Sequence, residues 1–81
     1  MALRDEVVEL IGRIIKVPAT ILGGNAGLGT VDNWDSLNHT LLILELENTY
    51  NVAFDFDELD QVVTVDAIIA SLEKKGVGGV K

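Results

Sequence analysis

The chemistry open to this chain is narrow, and it gathers around one dipeptide. There is no cysteine, which excludes a thiolate nucleophile, a redox pair and a cysteine-type zinc site. The single histidine, His39, cannot form a cluster. Its bland reading is a partly buried, hydrogen-bonded residue in the first turn of a helix. The carboxylates Asp55, Asp57, Glu58 and Asp60 crowd together, but not in the order of an EF-hand loop. They leave room for a weak divalent site and nothing structural. The stretch GGNAGLG lacks the lysine of a phosphate-cradling loop and has no strand before it to frame a dinucleotide fingerprint. A paired-carboxylate hydrolase needs a cleft that a small helical chain hardly offers. The expectation is therefore no catalytic residue and no enzyme.

What remains is Asp35-Ser36. A serine at a helix start lies among backbone N–H groups that have no intrahelical partner, and such a place favours an attached phosphate. Asp35 partly offsets that gain. Alternatively it holds a divalent ion that bridges to a phosphate during transfer. On the residues alone, Ser36 is either a modification site or a cap.

The elements that must position this pair read as helices. Leu3, Val7, Leu10, Ile11 and Ile14 recur at helical spacing over residues 3–16, and Pro18 stops that helix. Residues 18–34 have no period and form a long glycine-rich loop, which Ile21, Leu22, Leu28 and Val31 can pin to the helices. The second helix spans 36–50, with Asp35 or Ser36 as N-cap. Its core face carries Leu42, Ile43, Leu46 and Tyr50. Leu37, Leu41 and Leu44 form a second stripe roughly opposite. That stripe is either a docking surface or is covered by the loop. A short turn follows near 57–61, with Val52, Phe54, Phe56, Leu59 and Val62 inward. Thr64 caps a last helix over 65–75, Val65, Ile68, Ile69 and Leu72 form its apolar face, and Gly76 ends it. The fold class is all-α. It is a four-helix bundle with three long helices and one short, and a long loop between the first two. Residues 1–76 form one domain and 77–81 a flexible tail.

Composition bounds the partners. Eighty-one residues make one small domain held by apolar packing. Thirteen acids against six basic residues give a net charge of −7. A nucleic-acid backbone or an anionic membrane repels such a surface. No apolar run approaches the length of a membrane span, and the opening residues do not read as a signal peptide. A cytoplasmic monomer is expected. Between Lys16 and Lys74 there is no lysine or arginine, and ten of the thirteen acids lie there. A one-sign field of this kind steers basic partners.

Asp35-Ser36-Leu37, at the head of a helix after a long loop, resembles the attachment motif of acyl carrier proteins. The fuller string WDSLNHTLLILELENTYNVAF and the later Thr64-Val65 match that family's layout over about residues 3–75. The resemblance implies that Ser36 carries 4′-phosphopantetheine donated by coenzyme A, and that Asp35 helps coordinate magnesium in the complex with the holo-carrier synthase. It implies that Leu37 contacts partner enzymes. Leu41, Leu44, Glu45 and Glu47 then complete the docking face, and Leu42, Leu46, Tyr50, Phe54, Ile68 and Leu72 match the lining that shelters an acyl chain. Other implied partners are enzymes that load and transfer acyl groups. The fatty-acid-synthesis type has acids two and five residues after the serine, where this chain has Asn38 and Leu41. That points to a free-standing carrier of a specialised pathway, such as polyketide biosynthesis. Alternatives are an aminoacyl carrier, D-alanyl or peptidyl, and an unmodified helical interaction module.

Overall fold

A computed structural model describes residues 2–77. Four α-helices follow one another: α1 Leu3–Ile15, α2 Ser36–Tyr50, α3 Phe56–Leu59 and α4 Val65–Lys74. A 3₁₀ turn, Ala19–Ile21, lies between α1 and α2. The described residues hold no strand, only an isolated antiparallel bridge between Gly27 and Thr64. The protein is a small all-α fold in which α1 packs on both α2 and α4.

Three of the four helices start on a side-chain cap. The Asp35 carboxylate accepts the Asn38 N–H, and the Thr64 hydroxyl accepts the Ala67 N–H, so each satisfies an orphan donor. Asp55 and Glu58 form a reciprocal capping box around α3. Three helices close in one way at their C-termini. Lys16, Asn51 and Gly76 turn left-handed, with φ of 62°, 54° and 91°. The next residue's N–H then reaches back five positions: Val17 to Gly12, Val52 to Glu47 and Val77 to Leu72. Gly76 ends the last helix as expected. Val77, however, packs against the core rather than starting a flexible tail. Residues 78–81, the rest of that expected tail, lie outside the described residues.

The core joins Val7, Leu10, Ile11 and Ile15 of α1 to Leu42 and Leu46 of α2 and Val65, Ile68 and Leu72 of α4. Ile15, not Ile14, completes the α1 face, because Ile15 lies one turn after Ile11 on the buried stripe and Ile14 is only half-buried. Trp34 is fully buried, an anchor that periodicity alone does not single out.

The glycine-rich loop is locked to the start of α4. Leu28 donates to the Val63 carbonyl and Val65 donates to the Ala26 carbonyl, both at 2.9 Å. A Cβ on Gly27 would lie 2.2 Å from the Val63 carbonyl oxygen, so this approach requires glycine. Leu22 is buried and Leu28 and Val31 are partly so, but Ile21 is exposed and pins nothing.

Two expected core residues point outward. Phe56 is 86% exposed and Leu59 36%. For Phe56 the cause is Glu58, which accepts from Ser71 Oγ at 2.8 Å and from Lys75 Nζ at 2.6 Å. With Glu58 turned to α4, Phe56 two residues earlier is carried to the opposite side of the turn.

Candidate functional site

Ser36 is the first residue of α2 and is exposed. It is not the cap. Asp35 caps, through Oδ1 at 2.9 Å from the Asn38 N–H, and is itself exposed. The segment before Ser36 is fastened on both sides. Asn33, with φ 70°, donates through Nδ2 to the Ile15 carbonyl at the end of α1, at 3.1 Å. Asn38 donates through Nδ2 to the Asn33 carbonyl at 2.7 Å. The position two residues after the serine therefore anchors the loop. Gly29 donates to the Trp34 carbonyl at 3.0 Å, closing the turn that presents Asp35-Ser36. An open hollow of about 450 Å³, lined by Leu28, Val31, Trp34, Asp35 and Ser36 among others, lies on the loop side.

On the other side a groove starts one helical turn beyond Ser36. It has a volume of about 270 Å³ and is lined by His39, Thr40, Ile43, Leu44, Glu47, Phe54 and Leu59. Most of the expected acyl lining lies elsewhere. Leu42, Leu46, Ile68 and Leu72 are packed into the core with no exposed surface. Phe54 does line the groove, with Lys75 Nζ 5.2 Å from its ring centroid on one side. Tyr50 lines a separate hollow between α1 and α2 and donates to Glu6 Oε1 at 3.1 Å. Burial and then the Glu6 carboxylate push its phenol up to about 12.

The expected docking face divides. Leu37, Leu41 and Leu44 are 71%, 48% and 52% exposed, so the loop does not cover them. Phe56 and Leu59 of α3 add to the exposed apolar surface. Glu45 is exposed. Glu47 is not a free docking acid: it is half-buried, and its carboxylate accepts the Phe54 N–H at 2.9 Å. It ties the end of α2 to the segment before α3.

His39 is the group that sequence reasoning used least. Its Nδ1 accepts the Trp34 indole N–H at 3.0 Å, and the rings lie at 29° with centroids 6.2 Å apart. An indole nitrogen only donates, so Nδ1 is unprotonated and the proton sits on Nε2. Nε2 is buried and has no hydrogen-bond partner among the described residues. Burial lowers the imidazole pKa below its ordinary value, which keeps it neutral. The one signal in the sequence was the lone tryptophan five residues before the lone histidine.

Among the described residues, no three histidine or carboxylate side chains come together in a set that could hold an ion. Glu58 is occupied by Lys75, by the Asp55 N–H and by Ser71, which together hold its carboxyl at about 2. Arg4 likewise pairs with Asp66. The basic chain ends thus fold back onto the acidic middle.

No protein-family model and no curated protein matches this chain. No helix among the described residues is long and apolar enough to cross a membrane.

Proposed function

We propose that this protein is a carrier, not an enzyme. In this reading Ser36 bears 4′-phosphopantetheine, donated by coenzyme A through a holo-carrier synthase, and Asp35 helps hold magnesium during the transfer. The observation that carries the reading is the exposed Ser36 at the first position of α2, preceded by a capping Asp35 and fastened through Asn33 and Asn38. The arm supplies the thiol that the chain lacks, and an acyl group rides on it as a thioester. The three longer helices act as a bundle, with α3 as its short cross-piece. The protein works as a cytoplasmic monomer for fatty-acid, polyketide or related specialised biosynthesis, visited in turn by loading and transferring enzymes. An aminoacyl cargo uses the same attachment chemistry.

The exposed stripe Leu37, Leu41 and Leu44 favours a second reading, an unmodified helical interaction module. Intact mass separates the two. Incubated with coenzyme A, magnesium and a broad-specificity transferase, the protein gains the mass of one arm and the Ser36→Ala variant gains none. Because Asp35 and not Ser36 is the cap, Ser36→Ala melts within about 0.5 kcal/mol of the parent. Unmodified parent protein under every transferase tried ends the carrier reading.

A further inference from the structure

We propose that Asn33 and Asn38 are positioning residues for the modification of Ser36: together they tie the end of α1 to the first turn of α2 and hold the serine hydroxyl in the orientation that attack requires. The inference rests on the carrier reading and adds to it the side chains that set the rate of loading.

Two links bracket Asp35, Ser36 and Leu37. Asn38 Nδ2 donates to the Asn33 carbonyl at 2.7 Å, and Trp34 Nε1 donates to His39 Nδ1 at 3.0 Å. Each spans five residues, so consecutive residues before the serine are joined to consecutive residues after it. The first link lies at the surface, and the second is set against the core by the buried Trp34. A third bond carries this clamp to another helix: Asn33 Nδ2 donates to the carbonyl of Ile15, the last residue of α1, at 3.1 Å. Carbonyls in the last turn of a helix have no intrahelical partner, so this bond also satisfies an orphan acceptor. Asn33 has a φ of 70°, a left-handed conformation that asparagine tolerates better than most residues. Glycine takes the same backbone without strain but cannot reach Ile15. The residue type at 38 is equally constrained. An aspartate there sets a carboxylate against the Asn33 carbonyl, two acceptors with no proton between them. In the loading step the Ser36 oxygen attacks the phosphorus of coenzyme A that bears pantetheine. A new oxygen–phosphorus bond forms, the bond to adenosine 3′,5′-bisphosphate breaks, and the serine proton passes to a base of the transferase or to water. A nucleophile held near its attack geometry gains rate, and a misplacement of about 1 Å costs on the order of a hundredfold. Asn33 and Asn38 act on that geometry through the segment they fasten, without touching the reacting atoms.

The test measures loading and order together. Asn33→Gly, Asn38→Ala and the double variant are incubated with coenzyme A, magnesium and a broad-specificity transferase. Each single variant is expected to lower kcat about tenfold and to leave KM for the protein within about twofold, since the clamp acts on attack and not on docking. Asn38→Asp is expected to be as slow as Asn38→Ala. The double variant is expected to be little slower than either single one, because both bonds act through one segment. Val7→Ala, a core variant remote from Ser36, is expected to lower the melting temperature at least as far and to leave kcat unchanged. Nuclear magnetic relaxation of the unmodified proteins gives a readout without any transferase. The Ser36 backbone N–H is expected to be as ordered as the middle of α2, with an order parameter of about 0.85, and to fall toward about 0.6 in the double variant. Unchanged kcat in the Asn33 and Asn38 variants overturns the proposal, as does an equal fall in Val7→Ala. So does a Ser36 N–H that is disordered in the parent or stays ordered in the double variant. A parent that no transferase modifies ends the carrier reading and the loading role with it, and the order parameters then still report whether the clamp holds the segment.

Discussion

Glu58 is the side chain on which the short helix depends. One carboxylate caps the Asp55 N–H, accepts from Ser71 and pairs with Lys75. The Lys75 bond is the chief reason its pKa falls to about 2, followed by the Asp55 N–H and Ser71. A depressed folded pKa means that the unfolded chain takes up the proton first. The stabilisation is therefore complete above the ordinary value of 4.5 and is lost as pH falls from there toward about 2. Melting temperature followed from pH 6 to pH 2 is expected to fall in that window, and Glu58→Gln is expected to flatten the part of the fall that belongs to this group. An equally steep fall in the variant assigns the acid sensitivity to other carboxylates.

At the scale of elements, α2 carries two apolar faces, and only one is buried. Leu46 has no exposed surface, whereas Leu41 is 48% exposed. Leu46→Ala is expected to cost about 2–5 kcal/mol through the cavity it leaves. Leu41→Ser is expected to cost about 1 kcal/mol or less and, in the carrier reading proposed above, to weaken the docking of partner enzymes. Denaturant melts of both variants check the order, and a larger loss at Leu41 contradicts it. The helices were legible in the sequence because their signals are local: spacing of Leu3, Val7, Leu10 and Ile11, the Thr64 cap, the Gly76 stop. The place of Ser36 at the head of α2 followed from the same signals. The exposure of Phe56 was not legible, because it is set by Glu58 reaching residues 13 and 17 positions away. The buried Trp34–His39 pair was hidden for a related reason. Neither residue has a periodic role, and their meeting depends on how the loop enters α2.

For the whole molecule, the acidic middle is less bare than the order of charges suggests. Arg4 and Lys75, from opposite ends of the chain, pair with Asp66 and Glu58. The Arg4–Asp66 pair is half-exposed and contributes little. Most of the ten acids between Lys16 and Lys74 still repel one another. Sodium chloride added from low ionic strength is expected to raise the melting temperature and, in the carrier reading proposed above, to weaken docking to a basic partner enzyme, since screening acts on both. With no carboxylate set able to hold an ion among the described residues, magnesium chloride at matched ionic strength is expected to raise it no further. A larger magnesium effect requires a bound-ion site, and a salt-independent melt removes the role assigned to repulsion.

The shortness of α3 has a kinetic consequence. Four residues are one turn, far below the length at which a helix sustains itself in water. Its geometry is lent by a capping box and by side chains reaching in from α2 and α4. Such a segment opens by itself, long before the global transition, because few bonds must break together. In amide hydrogen exchange at neutral pH, the amides of Glu58 and Gln61, whose acceptors are the Asp55 and Glu58 carbonyls of this turn, are therefore expected to lose protection in a sub-global opening of their own, while the amides of Leu46 and Ile68 exchange only with complete unfolding. Exchange of all these amides at one common rate would make α3 part of the same cooperative unit as the core.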